Sequence, residues 1–201
     1  MRSEFLCHAH QSKLKRLYKI NINGKSNRFS LSESLSRKII DQIVISVSRR
    51  PQEFIPLIQL TKDSEIKIAW RATWACEKLC KMYPEWFVPY YEQLIQELPD
   101  SPHDGIKRLR LSILYQLPVT GDFPVTLFDY CINHMLSPGE SIAVQALCMK
   151  LAYKLCMQEQ ELLRELKVYL ENAEPEYYSV GVRCTRKNIL KRINSLHKKE
   201  K

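Results

Sequence analysis

Helix-type runs of apolar residues recur along this chain at a nearly constant interval. They begin near residues 66, 104 and 140, which gives intervals of about 38 and 36 residues. This period is typical of helical hairpins that each leave one apolar face open and complete their core by stacking on a neighbour. The period therefore predicts an all-α fold, a right-handed α-α superhelix or solenoid of about four helical hairpins. An irregular helical bundle is the structural alternative.

The best-formed repeat spans residues 66–98, which we interpret as two antiparallel helices. Trp70 and Trp74 fall among alanines and cysteines on a broad apolar stripe of the first helix, so we expect them to pack in the core. The alternative for them is a stacking platform for nucleic-acid bases. Pro84 ends this helix because proline lacks an amide donor. A second helix is expected from Pro84 to Leu98.

The low glycine content argues against a β fold rich in hairpins. The chain has 5 glycines in 201 residues, and no Asn-Gly or Asp-Gly pair is flanked by alternating apolar residues. Residues 1–32 are polar and basic without a periodic pattern, so we expect a poorly ordered N-terminal arm. Residues 33–196 carry the helical periodicity and are predicted to form a helical repeat domain, and residues 197–201 are predicted to be a basic tail.

The net charge of +9 is concentrated at the two ends of the chain. Residues 1–60 carry 11 Lys and Arg against 4 Asp and Glu, residues 61–172 carry 12 against 15, and residues 173–201 carry 8 against 3. The central helices are therefore a poor electrostatic surface for phosphate groups. If nucleic acid binds, we expect its site at the termini.

The cysteine pattern predicts reduced thiols. The chain has 7 cysteines and no CxxC pair, and most of the cysteines lie inside apolar helical runs. The N-terminus has no apolar core of signal-peptide length, and no stretch approaches the ~20 apolar residues of a membrane span. We therefore expect a cytoplasmic protein that has no membrane partner.

Few residues form patterns typical of catalysis or of metal binding. Cys7, His8 and His10 are a compact set of ligands that could bind Zn²⁺, but no second cluster supplies a fourth ligand. The chain lacks the GxxxxGK[ST], HExxH and GxSxG motifs, and it lacks GxGxxG after a strand. We therefore predict no enzyme activity, no cofactor, no metal and no small-molecule substrate.

Three features resemble HEAT and armadillo repeat proteins, and most closely small bacterial HEAT-like proteins without an assigned function. They are the WRATW run at residues 70–74, the DGIKR helix start at residues 104–108 and the basic final helix from residue 181. The resemblance covers residues 34–191. It implies an α-solenoid with a binding surface, and it does not imply a reaction.

The HEAT-like DNA alkyl-purine glycosylases are the most relevant enzymes with this architecture. A resemblance to them would require a tryptophan that is followed four residues later by aspartate. At that spacing Trp70 is followed by Trp74, and Trp74 is followed by Lys78. A glycosylase is therefore only a remote alternative.

One set of candidate binding residues lies in the central helices. Arg71 and Arg108 stand 37 residues apart at matching repeat positions, and together with Lys107 they could hold an acidic ligand. The structural alternative is that these cations link neighbouring helices by pairing with carboxylates or with helix C-terminal carbonyls.

A second set of candidate binding residues lies on the final helix and consists of Arg183, Lys187 and Lys191. It could bind phosphate groups or an acidic partner, or it could be a solvated face that keeps the end of the stack soluble. We predict a non-catalytic helical-repeat scaffold or adaptor that mediates protein–protein interaction. The alternative function is nucleic-acid binding through the basic final helix and the N-terminal arm.

Overall fold

The structure is all-helical in the residues that it describes. The computed structural model describes residues 37–101, 103–119 and 121–197, and nine α-helices, five short 3₁₀ segments and no strand lie in these ranges. In chain order the α-helices are α1 (Arg37–Arg49), α2 (Phe54–Gln59), α3 (Ile66–Met82), α4 (Tyr91–Gln96), α5 (Asp104–Gln116), α6 (Val125–Met135), α7 (Ile142–Cys156), α8 (Gln160–Glu171) and α9 (Val180–His197). The predicted all-α fold is confirmed.

The chain divides into two compact units between Leu79 and Cys80, inside α3. The N-terminal unit contains α1, α2 and most of α3, and the C-terminal unit contains the end of α3 and α4–α9. The predicted N-terminal arm, residues 1–32, lies outside the described residues, and so does the tail after His197. The domain boundaries at residues 33 and 196 therefore stay predictions.

In the N-terminal unit, α1 and α2 each bury one apolar face. Ile40 and Val47 of α1 are completely buried. Pro56 does not interrupt α2, because it lies in the first turn, where an N–H group has no partner within the helix. Lys78 on α3 places its Nζ 2.6 Å from Oδ1 of Asp41 on α1. This ion pair joins the two long helices of the unit.

The helix predicted for residues 84–98 is wrong in its extent. Two 3₁₀ segments, Pro84–Trp86 and Val88–Tyr90, occupy its first half, and only α4 is α-helical. Pro89 explains the difference, because proline lacks the N–H group that a helix needs and disfavours helical geometry in the residue before it. Phe87 is nevertheless completely buried, so this irregular segment still contributes a core side chain.

The central helix of the C-terminal unit is α7, which contacts α5, α6, α8 and α9. Its buried residues form one broad face, and Cys148, Leu151 and Leu155 are at most 1% exposed. A helix that is covered by several neighbours needs an apolar face wider than the narrow stripe of a coiled-coil helix. α7 therefore positions both α5 and α9, which carry predicted binding residues.

Gly181 allows the start of α9 to approach α7 closely. A Cβ atom at this position would lie 3.0 Å from Cγ2 of Ile142 on α7. Further along α9, Val182, Ile189 and Ile193 are buried. Because these three residues share one side of the helix, the opposite side of α9 faces solvent.

Candidate functional site

Lys107, a predicted binding residue, forms an ion pair inside the C-terminal unit. Its Nζ on α5 lies 2.8 Å and 3.0 Å from the two carboxylate oxygens of Glu140. His134 in the last turn of α6 places its Nδ1 2.7 Å from Oε1 of the same carboxylate. The Glu140 side chain is only 8% exposed, and it precedes the N-cap residue of α7. Lys107 therefore helps to link α5, α6 and the start of α7.

The environment of Glu140 keeps its carboxylate ionised. Burial opposes ionisation, but the hydrogen bonds with Lys107 and His134 outweigh it and lower the pKa of Glu140 from its usual 4.5. The ring of Tyr130 stacks on that of His134 with the centroids 4.1 Å apart. Burial raises the pKa of the Tyr130 hydroxyl above its usual 10.0. The cluster therefore combines an ionised carboxylate with a neutral phenol, whose ring stacks on His134 and whose buried hydroxyl has no hydrogen-bond partner among the described residues.

The most buried arginine of α5 is Arg110, two residues beyond the predicted Arg108. Its Nη2 lies 3.0 Å from Oε2 of Glu97, and its Nη1 donates to the Glu97 carbonyl at 2.8 Å and to the Ser101 hydroxyl at 2.9 Å. Burial lowers the pKa of Arg110, and Glu97 opposes this shift. In the sequence, Arg110 stands beside Leu109 on the apolar side of α5. This position could have identified it as a buried structural arginine. These contacts fasten the turn between α4 and α5.

Two further cations satisfy carbonyl groups at helix C-termini. On α7, Lys154 donates through Nζ to the carbonyls of Tyr115 and Leu117, at the end of α5. On α9, Arg186 donates through Nε and Nη2 to two carbonyls in the last turn of α8. Helix C-termini attract cations because their last carbonyls lack partners within the helix. The linking of helices by basic side chains is thus observed in the C-terminal unit.

Arg71 shares the partly exposed side of α3 with two stacked tryptophans. The ring centroids of Trp70 and Trp74 are 5.7 Å apart, and their planes make an angle of 28°. Both residues are partly exposed, but Nε1 of Trp70 is buried, so the two tryptophans lie at the edge of the core. The completely buried residues of this stretch are Ala75 and Leu79. The N-terminal unit therefore places the side chains of Trp70, Arg71 and Trp74 together on this side of α3.

Arg183, Lys187 and Lys191 are exposed and lie four residues apart on α9. Because four residues make about one helical turn, the three side chains line one face. Among the described residues, none of the three side chains forms a hydrogen bond or an ion pair. The second predicted set is therefore kept together by the fold, whereas Lys107 of the first set is engaged by Glu140.

The described residues give no sign of a metal centre or of a membrane span. No group of three His, Cys, Asp or Glu side chains in these ranges could hold a metal ion. The predicted Zn²⁺ ligands Cys7, His8 and His10 lie outside the described residues. Within the same ranges, no helix has the length and apolarity that crossing a bilayer requires.

Six of the described cysteines are free thiols, as predicted. Cys184 on α9 is exposed. The other five are buried: Cys76, Cys80, Cys131, Cys148 and Cys156.

Comparison with known protein families identifies the repeat. The family model for the HEAT repeat domain matches residues 27–193, which is more than half of the 201 residues. The chain belongs to the HEAT repeat domain family. No curated protein and no solved structure matches it. The matched range contains α1–α8 and most of α9 of this HEAT repeat protein, and the predicted HEAT-like fold is confirmed.

Proposed function

We propose that this HEAT repeat protein is a non-catalytic scaffold or adaptor that binds a protein partner. The observation that carries the proposal is the HEAT repeat domain match over residues 27–193. Stacked helical repeats present extended surfaces, which suit them to binding more than to chemistry. The bacterial source and the cytoplasmic location stay predictions, and the buried free thiols support a reducing compartment.

The partly exposed side of α3 carries the residue types that protein interfaces favour. Trp70, Arg71 and Trp74 lie there, and tryptophan and arginine are enriched among the residues that dominate binding energy. Lys67 adds an exposed cation on the same side. This arrangement suits a partner segment that combines an acidic group with an aromatic or apolar side chain.

In α5, Arg108 is the better candidate for contact with a partner. Arg71 is the sixth residue of α3 and Arg108 is the fifth residue of α5, so the two occupy nearly the same position in successive long helices. Arg108 is partly exposed. Lys107 is held by Glu140, so its charge is already balanced within the unit.

Charge reversal combined with mild crosslinking tests this proposal. The full chain is used to capture proteins from the source lysate, in parallel with an Arg71→Glu, Arg108→Glu variant. A matched control carries Arg49→Glu and Arg164→Glu, which change two exposed arginines on α1 and α8. The captured protein is then purified and titrated against each chain by calorimetry.

We expect the parent and the control to bind the purified partner alike, and the Arg71→Glu, Arg108→Glu variant to bind at least about tenfold more weakly. The proposal fails if the purified protein does not bind the parent directly. If the control loses as much affinity as the test variant, the assignment of the binding site to Arg71 and Arg108 fails.

A further inference from the structure

The final helix carries several basic side chains, and among the described residues most of them form no hydrogen bond or ion pair that holds the protein together. The 18 residues of α9 include five Lys and Arg and no Asp or Glu. The neighbouring helix α8 carries three Glu beside one Lys and one Arg, so of these two helices only α9 has an excess of positive charge. Arg186 is committed to the carbonyls of α8. Arg183, Lys187 and Lys191 point into solvent.

The spacing of these three cations fits a polyanion with regularly spaced charges. Residues 183 and 191 are eight residues apart, which is about 12 Å along a helix at 1.5 Å per residue. A single DNA strand rises about 3.4 Å per phosphate, so the three cations extend over the rise of roughly three or four phosphates. The three cations are therefore close enough together to contact neighbouring phosphates of one strand.

The chemistry of the same face favours nucleic acid over a protein partner. Asn194 lies among the cations and is exposed, and asparagine side chains commonly donate to phosphate oxygens. Val180, at the start of the helix, is the one large apolar residue of α9 that is clearly exposed. Protein interfaces have apolar or aromatic cores and are depleted in lysine, and this face has the opposite composition.

We propose that the outward face of α9 binds the phosphate backbone of nucleic acid without sequence specificity, through Arg183, Lys187 and Lys191. Three phosphate contacts predict that log affinity falls with log salt concentration with a slope of about −2.7 on duplex DNA. These contacts alone then account for about a 40-fold loss of affinity between about 50 mM and about 200 mM salt.

The test uses the full chain and a fluorescently labelled random duplex of about 20 base pairs, with affinity measured by anisotropy over that salt range. The test variant carries Arg183→Gln, Lys187→Gln and Lys191→Gln. The matched control carries Arg49→Gln, Lys150→Gln and Arg164→Gln, which remove three cations from exposed positions on α1, α7 and α8. Both variants lose three positive charges, so only the arrangement of the charges differs.

We expect the test variant to lose about 2.7 from the magnitude of the salt slope, and the control to keep the slope of the parent. Absence of binding by the parent at about 50 mM salt would overturn the proposal. An equal loss in both variants would overturn it too, because net charge would then explain the binding. If polyglutamate binds as tightly as the duplex with the same sensitivity to the α9 changes, the face is a site for acidic protein.

Cys184 supplies a second readout that does not depend on net charge. It is exposed on α9 beside Arg183 and Lys187, whereas the other described cysteines are buried. Saturating duplex should slow its reaction with a maleimide severalfold, as followed by peptide mass spectrometry. An unchanged rate at Cys184 in the presence of bound duplex would place the nucleic acid elsewhere and overturn the proposal.

Discussion

Helices α5 and α9 both carry predicted binding cations, but they use them in opposite ways. On α5, Lys107 pairs with Glu140, and Arg110, which is 4% exposed, pairs with Glu97. On α9, most of the basic side chains point into solvent, and only Arg186 bonds to the neighbouring helix. The same residue types therefore hold helices together in one region and form a charged surface in the other.

This contrast shows that the role of a cation depends on its burial and its partners. The number of Lys and Arg residues in a helix does not determine that role. A cation that is buried beside a carboxylate costs much free energy if the pair is broken, because the remaining charge stays in a poorly solvated site. A cation that is exposed contributes little to stability, because water solvates it equally well in the unfolded chain. Replacements on the two helices should therefore separate stability from binding.

The largest expected effect is at Arg110. Arg110→Ala removes the cation that pairs with Oε2 of Glu97, and it removes two hydrogen bonds from the turn between α4 and α5. We expect a loss of about 3–5 kcal/mol in the free energy of unfolding, measured by urea denaturation followed by circular dichroism.

The double replacement Arg110→Met, Glu97→Leu is the control for this effect. Because it removes both charges and restores apolar volume, it should recover much of the lost stability. A single Arg110→Ala change that costs less than about 1 kcal/mol would mean that this pair is solvated like a surface pair.

A smaller loss is expected at Glu140. Glu140→Gln keeps the shape of the side chain but removes the charge that Lys107 and His134 share. Hydrogen bonds to charged groups contribute roughly 1.5–3 kcal/mol each, and Lys107 can regain some solvation, so we expect a loss of about 2 kcal/mol in the free energy of unfolding. A Glu159→Gln change, at an exposed carboxylate, serves as the control.

The contribution of Glu140 to the free energy of unfolding should also depend on pH. Its folded pKa lies below the usual 4.5, so the unfolded chain takes up the proton first as pH falls. The stabilisation is complete above pH 4.5 and is lost as pH falls through the folded pKa. The difference in unfolding free energy between the parent and Glu140→Gln should therefore shrink in acid. A difference that stays constant from neutral pH to about pH 3 would contradict the assignment.

The sequence predicted the long helices well, because they are marked by strong apolar periods and most are bounded by proline or by a capping residue. At the start of α5, Nδ1 of His103 accepts the Gly105 N–H at 3.0 Å. The break at Pro89 was also readable, because a proline six residues into a helix removes a required donor. It was missed because the apolar spacing across it still matched a helix.

The roles of individual cations on α5 were harder to predict. Arg108 and Arg110 are two residues apart and therefore point to different sides of the helix, but which side is covered depends on how α4 and the turn before α5 fold back. The division of the chain between Leu79 and Cys80 was likewise not predictable, because α3 continues through it without a linker. Both features depend on tertiary packing, and the local apolar periodicity of the sequence carries no information about it.

Within α9 itself, Arg186 and Lys187 provide a direct comparison between neighbours. Arg186 donates to the last carbonyls of α8, whereas Lys187 is exposed. Arg186→Ala should cost about 1 kcal/mol in the free energy of unfolding, because it removes hydrogen bonds that terminate α8. Lys187→Ala should stay within about 0.5 kcal/mol of the parent. Equal effects at the two positions would contradict the structural role given to Arg186.

The smallest effect on stability is expected where the effect on binding is largest. Arg183→Gln, Lys187→Gln and Lys191→Gln together replace exposed side chains that bond to no other described residue, so unfolding should change by no more than about 0.5 kcal/mol. Removing three like charges from one face relieves mutual repulsion, so any change should be towards greater stability. A loss of more than about 1 kcal/mol in urea denaturation would show that these cations support the fold as those of α5 do, and the contrast between the two helices would then be wrong.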